Sequence, residues 1–159
     1  RPDYPIYFCI GNHEKYEDLE DILQRLDNLG VKILRSSTLH FRKDIQIIGI
    51  DDMEDPFQVD KELKHIALDA DAFKLLLYHR PRGLEAAAER GIDLILSGHT
   101  HNGQIFPFNL IVKRVFERII GMYSIGETRQ YVSQGTGTWG PVMRLGTYSE
   151  ITLFEYDPE

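Results

Sequence analysis

Apolar residues fall along this chain in short runs that stop abruptly at polar clusters. Ile6 to Ile10 ends at Gly11-Asn12, Phe73 to Tyr78 at His79, and Ile92 to Leu96 just before Gly98-His99. Runs of this length, bounded by turn residues, predict buried strands. Val31 to Leu34, Leu39 to Phe41 and Ile45 to Ile50 also read as strands, the last two as a hairpin around Lys43-Asp44. Helical spacing places Leu19, Ile22, Leu23, Leu26 and Leu29 on one face of a helix over Tyr16 to Leu29, with acidic residues in its first turn and Gly30 at its C-cap. Further helices are predicted near Val59 to Leu68 and Gly83 to Arg90. From Tyr131 onward the pattern is strands and Gly-rich turns closing with Ile151 to Tyr156, which predicts a mixed or antiparallel second sheet. The strand–helix alternation gives an α/β fold with parallel pairing, and no repeat or linker divides it, so residues 1–159 form a single domain.

Composition narrows the function. The net charge of −7 argues against a surface for long polyanions, so no nucleic acid partner is expected, although metal ions could still receive a phosphorylated substrate. Cys9 is the only cysteine, which excludes an intrachain disulfide. The longest uncharged stretch, Leu94 to Val112, carries His-Thr-His-Asn-Gly-Gln in its middle and cannot span a bilayer. The chain begins Arg1-Pro2 and enters a strand almost at once, so an N-terminal part is expected to be missing.

The polar clusters after the runs contain metal-binding residue types. In open α/β sheets ligands bind beyond the carboxyl ends of strands, so Asn12-His13, His79 and His99-Thr100-His101 are expected to meet in one crevice. In extended backbone His99 and His101 would project to one side, roughly 6.5 to 7 Å apart. Two imidazoles so placed can each take one of two metals held about 3.5–4 Å apart. Asn12 can ligate only through its amide oxygen. Each piece alone has an ordinary structural reading, a turn asparagine or a hydrogen-bonded histidine; the ordered set carries the weight.

That set, GNHE (11–14), YHRP (78–81) and GHTHNGQ (98–104), resembles the later motifs of the calcineurin-like metallophosphoesterases. The tail VSQGTGTWGPVMRLGTYSEITLFE (132–155) is similar to a subgroup of bacterial phosphoesterases that are often membrane-anchored or exported. The resemblance implies the second half of a four-layer α/β/β/α sandwich with mixed sheets. It implies two divalent ions (manganese, iron or zinc), with Asn12, His79 and His99 on one metal and His101 on the other. His13 would protonate or stabilise the leaving oxygen, and Arg80 and Asn102 would contact substrate. The implied activity is phosphodiester or pyrophosphate hydrolysis by attack of a metal-bound hydroxide. Its substrate would be a phosphorylated small molecule or a lipid-linked phosphate, with a membrane surface as a further partner and a cytoplasmic, membrane-associated or cell-envelope location. The family's earlier motifs, Asp-X-His and Gly-Asp-X-X-Asp with the metal-bridging aspartate, do not occur in the chain. This segment is therefore expected to be active only with a missing N-terminal part. The alternative is a non-catalytic binding scaffold of the same fold.

Other positions carry expectations of their own. Asp51-Asp52 reads as a solvated turn in preference to a group near the site. Arg144 reads as half of a surface ion pair, and Trp139 as pocket wall or core. His40 and His65 receive no chemistry. Ile111 to Ile120 has apolar residues on one half of a helical wheel and Lys113, Arg114, Glu117 and Arg118 on the other. That face is expected to pack on the domain, with a lipid-facing element as the alternative.

Overall fold

The computed structural model describes residues 4–157. The Arg1-Pro2 start lies outside them. Six strands form one mixed sheet: β3 (Ser37–Arg42), β4 (Ile45–Ile50), β5 (Phe73–Tyr78), β6 (Leu94–Ser97), β7 (Gly121–Ile125) and β8 (Thr128–Val132), in the spatial order β3-β4-β5-β6-β8-β7. The β3–β4 hairpin turns at Lys43-Asp44, as the pattern predicts, with a bulge between His40 and Arg42. Strands β4, β5, β6 and β8 run parallel, so their carboxyl ends share one edge of the sheet.

One face of this sheet holds the core. Ile48, Ile50, Leu76, Tyr78 and Ile95 pack under Val59 and Leu63 of α2 (Gln58–Leu63) and under Leu84 and Ala87 of α3 (Leu84–Glu89). Gly83 opens α3 with a φ of +79°, and a Cβ there would lie 2.5 Å from Val59, so glycine lets α3 sit against α2. Strand periodicity turns Ile45, Ile47, Phe73 and Leu75 to the opposite face. There they line a cleft of about 790 Å³ with Tyr7, Phe41, Phe154 and Tyr156.

The second sheet lies elsewhere than the pattern predicts. It consists of β1 (Ile6–Cys9) and β2 (Val31–Leu34), parallel and joined by α1 (Leu19–Asn28), which Asp18 caps through the Asp21 amide. It meets the main sheet at Gly49, where a Cβ would stand 2.3 Å from that of Leu34. Tyr131 and Val132 belong to β8 in the main sheet. After Val132 no strand follows among the described residues, only a single bridge between Leu145 and Ile105. The polar groups of this Gly-rich tail are met by side chains and scattered backbone bonds instead of a ladder. Arg144 donates to the carbonyls of Gln134 (2.7 Å), Gly135 (3.2 Å) and Gly137 (2.6 Å), so it staples a loop where the sequence suggested a surface ion pair.

The Ile111–Ile120 reading also changes. The helix α4 spans Asn109–Val115 and buries no residue, and Phe116 is already extended. Ile119 is buried but outside the helix. Among the described residues no helix is long and apolar enough to cross a membrane.

Candidate metal centre

The shared carboxyl edge of β4, β5 and β6, with the end of β1 beside it, gathers the polar clusters. Asp52 follows β4, His79 follows β5, and Gly98-His99 follows β6. The backbone ties the edge together: Asp52 N–H donates to the Ile10 carbonyl (3.0 Å) and Gly98 N–H to that of His79 (3.0 Å). Gly11 sits against the His79 ring, where a Cβ would approach within 3.0 Å, and its N–H donates to Glu14 at 2.8 Å. Glycine at this position therefore lets β1 bring Asn12 up to His79.

Three ligand atoms converge. Asn12 Oδ1 lies 2.9 Å from His79 Nε2 and 3.0 Å from His99 Nδ1, and the two histidine nitrogens are 3.1 Å apart. Protons on both nitrogens would satisfy the amide oxygen but would crowd each other. One cation among the three atoms would take a lone pair from each. An ion with ligands at about 2.1 Å sets neighbouring ligand atoms about 3.0 Å apart in octahedral geometry and about 3.4 Å apart in tetrahedral geometry. The observed triangle matches one octahedral face. Burial holds the proton affinity of His79 below the ordinary histidine value. Burial, aided by His79 and Arg80, pushes His99 down to about 3, so both rings offer lone pairs at neutral pH.

Asp52 is the residue the sequence reading placed wrongly. Its carboxylate is fully buried, and the potential ligand atoms of Asp52, His79 and His99 lie within 4.8 Å of one another. Both of its oxygens accept from Arg80 Nε (2.9 and 2.8 Å), Oδ1 also accepts from the Glu54 amide (2.9 Å), and Lys15 donates to its carbonyl. A tandem Asp after a strand looks like a solvated turn; only Arg80 closing over it from the end of β5 makes it interior. Arg80 also bonds Glu54 at 2.9 Å, so its guanidinium is occupied by two carboxylates.

The His99–Gln104 turn departs from the extended backbone expected of it. His99, His101, Asn102 and Gln104 all have positive φ (70°, 48°, 50° and 55°), sparsely populated for residues other than glycine and held here by surrounding bonds. Thr100 Oγ1 donates to the Ile119 carbonyl at 2.7 Å. Buried Gln104 donates to the carbonyls of Trp139 and Pro141 and accepts from Trp139 N–H at 2.8 Å, tying this turn to the tail. That anchoring role is signalled in sequence only by the residue's place in GHTHNGQ.

Asn12, His13, His99 and His101 line one cleft of about 340 Å³, together with Phe108, Ile111, Val112, Val115, Phe116 and Trp139. Trp139 is thus pocket wall. His13 stands exposed on a 3-10 turn (His13–Tyr16), edge-on to Tyr16. His101 shares the cleft but not the triangle, and its buried Nδ1 has no hydrogen-bond partner among the described residues. Burial and Arg144 hold its proton affinity down. Asn102 turns its amide toward Gln134 at 3.4 Å, and neither it nor Arg80 lines the cleft.

The profile of calcineurin-like phosphoesterases matches residues 1–103. An uncharacterized metallophosphoesterase of Campylobacter jejuni is 36% identical over 94% of this chain and 41% of its own length, and one of Helicobacter pylori strain J99 is 37% identical over 96% and 43%. A zebrafish (Danio rerio) transmembrane protein with metallophosphoesterase domain is 34% identical over 96% of this chain and 38% of its own. The chain thus spans about two fifths of the length of these relatives. No solved structure matches it. With its strand-end clusters gathered on one sheet edge, the chain belongs to the calcineurin-like phosphoesterase family.

Proposed function

We propose that the protein containing this chain is a metal-dependent phosphoesterase, hydrolysing a phosphodiester or pyrophosphate at the Asn12–His79–His99 centre. The observation that carries the reading is the triangle of three ligand atoms with octahedral edge lengths. Asn12, His79 and His99 would hold one ion and His101, with its spare Nδ1, would contribute to a second. A bound divalent ion, whether manganese, iron or zinc, would polarise phosphoryl oxygens and lower the pKa of water.

The chain's own residues have separate tasks. His13, exposed at the mouth of the cleft, is placed to hand a proton to the departing oxygen. Asp52 adds negative charge behind the two histidines, favouring a cation in front of them. Arg80 orients that carboxylate, which makes it a positioning residue in preference to a substrate contact. The apolar wall across the cleft excludes water from one side. The rest of the full-length protein is proposed to complete the second metal position with carboxylate ligands. Relatives named as transmembrane proteins support a membrane-associated setting.

The test is metal analysis and bis(p-nitrophenyl) phosphate hydrolysis by the full-length protein. Loss of bound metal with His99→Ala, and loss of turnover with metal retained in His13→Ala, are the expected results. Turnover unchanged in both variants overturns the proposal, and a metal-free, inactive wild type favours the scaffold.

A further inference from the structure

The metal cleft has one wall that a water-soluble phosphoester would not require. Ile111 and Val115 of α4 are 56% and 62% exposed, Leu110 and Phe108 stand beside them, and Trp139 faces Phe108 with ring centroids 6.1 Å apart. Val142, on the tail loop that Gln104 anchors, is 94% exposed. Apolar side chains of α4 and Trp139 of the tail thus stand out around one mouth, with Val142 three residues along the chain from Trp139. A patch of this kind marks a contact surface. Its protruding tips suit a soft partner better than a protein groove does.

Charge selects the partner. On a chain of net charge −7, residues 98–116 contain no carboxylate, and neither do residues 131–149. Exposed Lys113 and Arg114 form the last turn of α4, and neither is bonded to a carboxylate among the described residues. Of the other cations nearby, Arg144 is turned inward onto loop carbonyls and Arg82 lies over the Phe116 ring, 5.4 Å from its centroid. Apolar and aromatic side chains beside the exposed pair Lys113 and Arg114 match an anionic bilayer, with the apolar residues among the acyl chains and the cations at the headgroups; the nearest acid along the chain, Glu117, follows Phe116 beyond the helix.

We propose that the α4–Trp139–Val142 face docks the protein on an anionic lipid surface, with the metal cleft opening toward the membrane. The consequence for substrate, a lipid phosphoester taken at the interface, rests on the hydrolytic reading above; the docking does not.

The test places a solvatochromic label at Ile111→Cys in the full-length protein, with any cysteine outside this chain replaced by serine. Cys9 competes poorly for a maleimide, because its thiol is inside β1 and burial pushes it up to about 12. Vesicles of equimolar phosphatidylcholine and phosphatidylglycerol are expected to blue-shift the label, while the same label at Leu29→Cys stays unchanged. Lys113→Glu with Arg114→Glu is expected to weaken vesicle binding by about thirtyfold or more. Three results each overturn the proposal: no response at position 111, an equal response to pure phosphatidylcholine, or a label already shielded without vesicles, which means another part of the protein covers the face. Turnover of bis(p-nitrophenyl) phosphate without vesicle docking sinks this inference alone. Docking without any turnover sinks the hydrolytic reading alone.

Discussion

Replacing Asp52 with alanine is expected to destabilise the protein by about 3 kcal/mol, worked from the burial of its partner. The Asp52 side chain is 0% exposed and that of Arg80 12%, so the pair is shielded from water. Removing one member of such a pair costs about 3–5 kcal/mol, because a buried guanidinium loses its counter-charge. The Glu54 amide also loses its acceptor, which adds about 1 kcal/mol. Glu54 offsets part of this through its own bond to Arg80, but its side chain is 58% exposed, and a screened pair contributes at most about 1 kcal/mol. Urea unfolding of wild type and variant at neutral pH, with equal slopes, measures the difference. A second variant isolates the cause: Asp52→Ala with Arg80→Met removes both charges and is expected to recover at least half the loss. A loss below about 1 kcal/mol for Asp52→Ala, or no recovery in the double variant, refutes the assignment of Asp52–Arg80 as a buried, structure-bearing pair.

Other perturbations reach different parts of the centre. His99→Ala is expected to lower divalent-ion affinity by at least about a hundredfold, since even residues behind a ligand are worth ten- to hundredfold; elemental analysis after dialysis reads it. Folded His99 has its pKa pushed down to about 3 from 6.5, so below pH 6.5 the unfolded chain binds more protons. Metal-free stability should therefore be complete above pH 6.5 and fall on acidification toward pH 3, and His99→Gln should flatten the upper part of that slope in thermal melts. Gly103→Ala would place a Cβ 2.3 Å from Asn109 Cα at a φ of +74°, so α4 must shift or the turn open. A destabilisation of at least about 1–3 kcal/mol with faster proteolysis near α4 is expected, and an unchanged melting temperature counts against the observed turn.

What could be read in advance followed from local order. Each ligand cluster stands directly after an apolar run, and parallel strands bring such ends to one edge, so the meeting of Asn12, His79 and His99 was legible without coordinates. Asp52 was not, because its burial depends on Arg80, 28 residues away in sequence. The tail misled for a different reason. Its apolar–polar alternation mimics strands, but its backbone groups are bonded by the Arg144 and Gln104 side chains instead of a neighbouring strand. Periodicity in α4 correctly marks an apolar face and says nothing of what covers it; the structure leaves it open. The part-buried turn from His99 to Gln104 contradicts the extended spacing inferred from His-X-His, because its four positive-φ residues other than glycine are stabilised by partners far along the chain.

Asn12 is separated from His79 by 67 residues and from His99 by 87, and each approaches the others only when the sheet has closed. An unfolded chain therefore offers an ion no comparable cage, and any ion held by the folded form shifts the folding equilibrium by mass action: about 2.7 kcal/mol when the free ion is at a hundred times its dissociation constant. In a cell short of that ion, the first symptom would be a smaller pool of intact protein, cleared by quality control, before any change in how fast each surviving molecule works.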